Sequence, residues 1–254
     1  MCGITGLCRL DGPGPVDGEA IRRMTDMLEH RGPDQAGMYL DDRAGLGHAR
    51  LSIIDLAGGV QPIHNEDQTL WIAFNGEIFN YLELAGELKA AGHKFYTDTD
   101  TEVILHMYEE YGVESFKQLN GQFALAIWDK RKQQLILARD RVGIRPLYYT
   151  IHRNKILFAS EIKALFAYGN LERQIDPVAL DQIFTFWTTI GHRSAFRGIK
   201  ELEPGCCLKV SNGRLDMHRY WQIPSYSKEE QFTEGIDTLA ERSRELLLDS
   251  VKLR

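Results

Sequence analysis

The chain has 254 residues, of which 43% are hydrophobic and 26% charged, and its formal net charge is -6. This balance is typical of a globular protein with its own core, and without a Lys/Arg cluster it gives no reason to expect a nucleic-acid partner. No apolar run approaches the ~20 residues that span a bilayer, and the N-terminus lacks the regions of a signal peptide, so no membrane partner is expected.

The first half of the chain alternates predicted strands and helices. Asp17 can cap a helix, and Thr99 with Glu102 fits a capping box, in which a hydroxyl and an acid three residues later bond the first turn. Asn75-Gly76 follows a short apolar strand, where this pair on its own most often forms a hairpin turn. Strands are predicted at residues 2–8, 38–40, 44–54 and 70–74. Helices are predicted at residues 19–29 and 81–91, and a third helix is opened by residues 97–100 and ends at about residue 111.

The second half begins with a predicted meander of strands. A hairpin is expected around Asn212-Gly213, and a polar linker at residues 224–231 precedes an amphipathic helix at 233–253. Antiparallel strands flanked by helices, with few βαβ units, favour an α+β fold. The other strands are predicted at residues 123–128, 134–138, 146–151, 155–159, 207–210 and 214–216, and the other helices at 160–168 and 177–185.

The second residue, Cys2, carries the strongest indication of chemistry. If Met1 is removed, Cys2 has both a thiol and a free α-amino group. A deprotonated thiol is a nucleophile, and an α-amino group titrates near ~8, close enough to neutral to act as a base. Nucleophile and base would then belong to one residue, without a histidine between them.

The other cysteines are predicted to be structural. Cys8, Cys206 and Cys207 form no CxxC pair, and adjacent cysteines rarely bridge each other or share a metal. We therefore expect reduced thiols that fill apolar space, a cytoplasmic location and no metal site.

Three further residues are unusual for their surroundings, although each has a structural alternative. The amide of Asn75 and the N–H of Gly76 could form an oxyanion hole instead of a turn. Asp100 in the first turn of a helix is more often a capping residue than a ligand-binding one. Arg50 in an apolar strand must be exposed or paired.

Together, eight motifs in the same order resemble those of class II glutamine amidotransferases, and most closely those of the N-terminal glutaminase domain of glutamine-hydrolysing asparagine synthetases. The resemblance covers residues 2–221. The eight motifs are Cys2–Ile4, Arg31–Asp34, His48–Asp55, Asn75–Asn80, Thr99–Ile104, Phe123–Asp129, Arg139–Tyr149 and Phe158–Lys163.

The resemblance implies an N-terminal-nucleophile hydrolase fold, which is a four-layer αββα sandwich of two antiparallel sheets. It also implies that L-glutamine is hydrolysed to glutamate and ammonia through a thioester, without a cofactor. The implied roles are Cys2 as nucleophile, Asn75 and Gly76 as oxyanion hole, Arg50 as ligand of the α-carboxylate, Asp100 and Glu77 as ligands of the α-ammonium, and Leu51, Ser52, Ile53 and Ile54 as pocket lining.

The resemblance also implies a larger protein. An asparagine synthetase has a C-terminal ATP-dependent domain with an SGGxDS loop, and this chain has no such segment. We expect residues 222–254 to be a linker and the first helix of that absent domain, where ATP and Mg²⁺ would act. The chain as written would hydrolyse glutamine without adenylating aspartate, and a homodimer is compatible with this scheme.

Two alternatives stay open at this level. The same glutaminase could serve another acceptor, such as a cell-wall or sugar carboxylate, or the fold could be a non-catalytic docking module. Two motifs are interpreted as structural: Phe123–Trp128 as core, and Arg139–Tyr149 as a strand junction with internally paired charges that borders the exit of ammonia. Arg145 and Phe79 replace residues that are commoner in the family, and neither has an assigned role.

Overall fold

The computed structural model describes residues 1–56, 58–227 and 232–253. The chain divides into two compact units, Met1–Trp221 and Gln222–Arg254. The first unit contains all the strands of the described residues and five of their six α-helices.

The elements of the first unit follow the predicted order closely. The strands are β1 Gly3–Arg9, β2 Gln35–Leu40, β3 Ala44–Arg50, β4 Ile63–His64, β5 Leu70–Ile78, β6 Gly121–Asp129, β7 Gln134–Arg139, β8 Tyr148–His152, β9 Lys155–Ala159, β10 Lys200–Glu201, β11 Cys206–Ser211 and β12 Arg214–Arg219. The helices are α1 Gly18–Asp26, α2 Tyr81–Ala91, α3 Asp100–Tyr111, followed by a 3₁₀ turn at Gly112–Lys117, then α4 Ile162–Ala167 and α5 Pro177–Phe186.

The strands form two six-stranded antiparallel sheets, ordered β10-β8-β9-β1-β3-β2 and β12-β11-β7-β6-β5-β4. Strand β6 illustrates the layering, because residues 124, 126 and 128 lie in the core between the sheets while 123, 125 and 127 pack beneath α2 and α3. On the opposite side, α1 and α4 cover the outer face of the β1 sheet. The predicted α+β fold of four αββα layers is confirmed.

The helix caps agree with the sequence in most respects. Asp17 accepts the N–H of Ala20 at 3.0 Å, and Thr99 accepts the N–H of Glu102 at 3.2 Å. The capping box forms only half, however, because the Glu102 carboxylate accepts the N–H groups of Tyr96 and Thr97 instead of that of Thr99. This carboxylate therefore fixes the loop that enters α3.

Several strand boundaries differ from the prediction, and two of these differences affect the predicted site. Strand β3 ends at Arg50 instead of residue 54, and β5 continues through Asn75-Gly76 as far as Ile78. The interpretation of Asn75-Gly76 as a turn is wrong, because both residues are paired with β6, where Gly76 lies opposite Phe123. A Cβ at Gly76 would lie 2.2 Å from the Gln122 carbonyl oxygen, so this close approach requires glycine.

The second unit contains the predicted amphipathic helix, here α6 Ile236–Lys252. Its apolar side chains Leu246, Leu247 and Val251 are exposed. Of the predicted linker, residues 228–231 lie outside the described part of the chain. Every helix among the described residues is too short or too polar to cross a membrane.

Candidate active site

The thiol of Cys2 lies against the loop that follows β3. The Leu51 N–H donates to Cys2 Sγ at 3.4 Å, and Sγ is 3.5 Å from the Leu51 carbonyl oxygen. The backbone on either side is fixed, because Arg31 Nε donates to the Cys2 carbonyl at 2.9 Å and the Ile4 N–H donates to Ser160 Oγ at 3.0 Å. These contacts hold the thiol in place before any ligand arrives.

The thiol is not ionised by its surroundings. Burial raises the pKa of Cys2 above its ordinary value, and the Leu51 N–H, the terminal ammonium and Arg50 oppose that effect. The terminal ammonium of Met1 has a lowered pKa, chiefly through burial and then through the nearby cations Arg31 and Arg145. A thiol that is mostly protonated needs a base before it can act as a nucleophile.

Two hydrogen-bond donors of β5 are directed at the same pocket. Asn75 is 1% exposed, and its Nδ2 is buried without a hydrogen-bond partner among the described residues. Phe74 and Ile78 donate their N–H groups off the open edge of β5, to Gln61 Oε1 at 2.7 Å and to Asp100 Oδ2 at 2.9 Å. Because N–H groups two residues apart on a strand point the same way, the Gly76 N–H also points off this edge.

Arg50 forms one charged wall of the pocket. Its side chain is almost fully buried and donates to Gln35 Oε1 at 2.7 Å and to the carbonyls of Ile54 and Asp55 at 3.1 and 2.6 Å. These contacts use three of the five donors of a guanidinium. The guanidinium is thereby fixed in orientation, and its positive charge faces the pocket.

Asp100 forms the oppositely charged wall. It begins α3 and is 5% exposed, and burial raises its pKa to about 6, with a smaller effect in the same direction from Glu77. A carboxylate that loses its hydration on burial gains most from a cationic ligand, because that ligand supplies the missing counter-charge.

All but one of the predicted site residues line a single solvent-open pocket. The exception is Ser52, whose N–H donates to Asp34 Oδ2 at 2.7 Å. Its expected lining role stays a prediction. The predicted residues that line the pocket are Cys2, Arg50, Leu51, Ile53, Ile54, Asn75, Gly76, Glu77 and Asp100.

The sequence analysis did not assign several other lining residues. Gln61 uses both ends of its amide, accepting the Phe74 N–H and donating to Thr101 Oγ1 at 3.2 Å, so it ties the edge of β5 to α3. The remaining unassigned lining residues are Met1, Gly59, Phe74, Thr99, Thr101 and Arg145. No short motif identifies Gln61, because its contacts join segments that are far apart in the sequence.

Arg145 was left without a role, and the structure corrects this. Its side chain lines the pocket, contacts Met1 Sδ, and has a buried Nε without a partner among the described residues. The rest of its motif is structural as expected, but its charges do not pair with one another: Asp140 accepts the N–H groups of Phe123 and Arg145, and Arg139 forms an ion pair with Glu201. The junction therefore both supports the strands and presents a cation to the pocket.

Comparison with known proteins agrees with this geometry. The family described as glutamine amidotransferase domain matches residues 1–221. Asparagine synthetases [glutamine-hydrolyzing] 3 and 1 of Bacillus subtilis are 37% and 40% identical, over 99% and 100% of this chain but 41% and 40% of their own lengths. A protein named amidase chry2 from Gibberella zeae is 36% identical over 100% of this chain and 39% of its own. The chain thus spans about two fifths of the curated relatives it matches.

Two solved structures share the fold. Glutamine phosphoribosylpyrophosphate amidotransferase from B. subtilis has a TM-score of 0.63 at 21% identity, and covers 87% of this chain and 49% of its own. A structure described as the allosteric regulatory enzyme of purine biosynthesis has a TM-score of 0.64 at 22% identity, with the same coverage. At such identities these likenesses establish the fold alone.

Proposed function

The chain belongs to the glutamine amidotransferase domain family, and from that premise we propose that it hydrolyses L-glutamine to glutamate and ammonia through a thioester on Cys2. One observation carries the proposal: the thiol shares its pocket with two directed donors, Asn75 Nδ2 and the Gly76 N–H. Such a pair suits an oxygen that becomes negative during attack on a carbonyl.

The reaction begins once Met1 has been removed. The α-amino group of Cys2 takes the thiol proton, and the thiolate attacks the side-chain amide of glutamine. Asn75 and Gly76 hold the tetrahedral oxygen, and the protonated amine returns its proton to the leaving ammonia. Water, deprotonated by the same amine, then attacks the thioester, which releases glutamate and restores the thiol.

Specificity for glutamine follows from the two charged walls. Arg50 binds the α-carboxylate, to which a guanidinium fork is matched, while Asp100 and Glu77 bind the α-ammonium. These contacts fix the distance from the amino-acid end of the ligand to Cys2. Asparagine is one methylene shorter, and a misplacement of about 1 Å can cost ~100-fold in rate.

For the whole protein we propose an asparagine synthetase in which this chain supplies ammonia to a C-terminal domain. That domain would bind ATP and Mg²⁺ and activate aspartate, whereas the glutaminase step needs no cofactor. The identity to two curated synthetases over nearly the whole chain supports this. The cytoplasm suits thiols that are free, as all four are. The homodimer stays a prediction.

A second candidate is a glutaminase that serves a different acceptor. The relative named an amidase, at 36% identity over the chain, favours keeping it. The docking-module alternative is weaker, because Cys2 and both oxyanion donors are present in one pocket.

A coupled assay of the chain tests the glutaminase proposal. Glutamate and ammonia should appear in equal amounts from glutamine, and Cys2→Ala should abolish both while it leaves the melting temperature unchanged. Turnover by Cys2→Ala near that of the unmodified chain would reject the nucleophile assignment.

A further inference from the structure

Four potential metal ligands meet outside the pocket of Cys2, and we call them the His–Glu cluster. Glu66 comes from the turn between β4 and β5, His93 follows the end of α2, and His106 and Glu109 lie three residues apart on one face of α3. One side-chain atom from each residue lies within 4.8 Å of the others. None of the four lines the pocket described above.

The distances within the cluster suit a small metal ion. His106 Nδ1 lies 3.5 Å from Glu109 Oε2 and 3.8 Å from Glu66 Oε2, and His93 Nδ1 lies 3.9 Å from the nearest oxygen of each glutamate. Four ligands around Zn²⁺, with bonds of about 2.0–2.2 Å, are themselves about 3.3–3.6 Å apart. The closest observed separations approach that value, and across the four residues the ligand atoms lie within 4.8 Å of one another, so side-chain rotations that draw them together by up to about 1 Å would complete the tetrahedron.

Hydrogen bonds inside the cluster do not explain it. His106 is fully buried, and both of its ring nitrogens lack a hydrogen-bond partner among the described residues, as does the buried Glu109 Oε2. A buried polar atom without a partner costs about 1–3 kcal/mol. A cation between the histidines and carboxylates would satisfy His106 Nδ1 and Glu109 Oε2 together.

Each histidine of the cluster also has a carboxylate close to its outer ring nitrogen. His93 Nε2 lies 2.8 Å from Glu110 Oε1, and His106 Nε2 lies 3.4 Å from Glu102 Oε1. These contacts direct both Nδ1 atoms inward. Carboxylates that hold the outer nitrogen of a ligand histidine are typical of metal sites.

The glutamates are held in the same way. Glu66 Oε1 accepts the Lys94 N–H at 3.0 Å, and Glu109 Oε1 accepts from Asn65 Nδ2 at 3.1 Å. Glu109 Oε2 therefore faces both histidines, whereas Glu66 presents Oε2 to His106 and Oε1 to His93. Glu66 is also the most exposed member, with 38% of its side chain accessible, so an ion could enter from its side.

We propose that the His–Glu cluster is a structural site for a divalent transition-metal ion of the zinc class, bound by Nδ1 of His93, Nδ1 of His106, Glu66 and Glu109. Imidazole nitrogens favour Zn²⁺ and its neighbours over Mg²⁺ or Ca²⁺, which prefer oxygen. Four protein ligands complete a tetrahedron and leave no open position for catalysis. The proposal is independent of the glutaminase assignment, although the ion would brace α3, the helix that begins with Asp100.

Direct metal binding by the purified chain tests the proposal. After removal of metal with a chelator and dialysis, titration with Co²⁺ should give one equivalent per chain with the visible absorption of tetrahedral Co²⁺. It should lack the thiolate charge-transfer band that binding at any cysteine would produce. Zn²⁺ should displace Co²⁺, and Mg²⁺ should not. One equivalent of Zn²⁺ should also raise the melting temperature, because it binds only the folded chain.

Variants locate the ion. His93→Gln and Glu109→Gln should each weaken Zn²⁺ binding by at least about tenfold, since even the loss of a supporting contact costs about 10–100-fold. The matched control is His218→Gln, which removes a histidine 3.2 Å from Glu114 outside the cluster, and it should leave the affinity unchanged. Absence of Co²⁺ or Zn²⁺ binding by the unmodified chain, or equal affinity in His93→Gln, would overturn the proposal. If His93→Gln does not fold, Glu109→Gln decides.

Discussion

Asp100 Oδ2 accepts the backbone N–H of Ile78 at 2.9 Å, which ties the first residue of α3 to the end of β5. Gly76 lies two residues before Ile78 on the same strand. The Asp100 carboxylate, assigned to the ligand's ammonium, is therefore joined through β5 to the donors assigned to the oxyanion. Because this hydrogen bond is buried, the spacing between the two ends of the pocket is set by the fold before a ligand binds.

Replacement of Asp100 by Asn should stabilise the fold near neutral pH and impair glutamine binding. The folded-state pKa of Asp100 is raised to about 6 from 3.8, so the folded state binds more protons than the unfolded state between these values. The free energy of unfolding of the unmodified chain therefore decreases as pH rises from about 4 to 6. Asp100→Asn should melt higher than the unmodified chain at pH 7 and equally near pH 4.

The difference in melting temperature between Asp100→Asn and the unmodified chain isolates the contribution of the Asp100 carboxyl group. Buried His48, whose pKa is lowered to about 4 by burial, contributes a slope of opposite sign, but it is present in both. Glutamine KM should rise in Asp100→Asn, and in the unmodified chain kcat/KM should fall as pH drops below about 6. If the difference in melting temperature did not change with pH, the raised pKa of the buried Asp100 carboxyl group would be excluded as its cause.

Arg50→Ala should raise the KM for glutamine more than it lowers kcat. Hydrogen bonds to a charged group contribute about 1.5–3 kcal/mol, which corresponds to roughly 10- to 100-fold in KM. Arg50→Lys should recover only part of the affinity, because an ammonium does not offer a planar fork. Arg22→Ala on the exposed face of α1 is the matched control. Unchanged saturation by glutamine in Arg50→Ala would remove Arg50 from the site.

Asn75→Ala should lower kcat by about 10²–10³ with little change in KM, as expected when one oxyanion donor is lost. The reason is that Nδ2 meets its acceptor only when the tetrahedral oxygen forms. Steady-state kinetics at saturating glutamine measures the effect, and the melting temperature provides the control for folding. A rise in KM at constant kcat would instead place the Asn75 amide against the ground-state ligand.

The two Asn-Gly pairs explain which features the sequence could predict. Asn212 and Gly213 have positive φ angles of 50° and 74° and form the predicted hairpin turn. Asn75-Gly76 has the same composition but lies within β5, because pairing with β6 outweighs the local turn preference. Local signals such as the Asp17 cap predict helices well, whereas pairing between distant segments decides where a strand ends.

The candidate site shows the same division. Residues in contiguous motifs, such as Asn75-Gly76, could be assigned from the resemblance, but Gln61 and Arg145 enter the pocket only through tertiary contacts. The His–Glu cluster lay beyond sequence analysis, which expected no metal. Its four residues come from three separate segments, and only His106 and Glu109 have a helical spacing.

The central claim is that Cys2, as the N-terminal residue, forms the thioester. Mass spectrometry of a reaction quenched in acid during turnover tests it most directly. The account predicts active chains that begin at Cys2, with a γ-glutamyl adduct on the N-terminal peptide and on no other. Turnover by chains that retain Met1, or an adduct on Cys8, Cys206 or Cys207 instead, would contradict it.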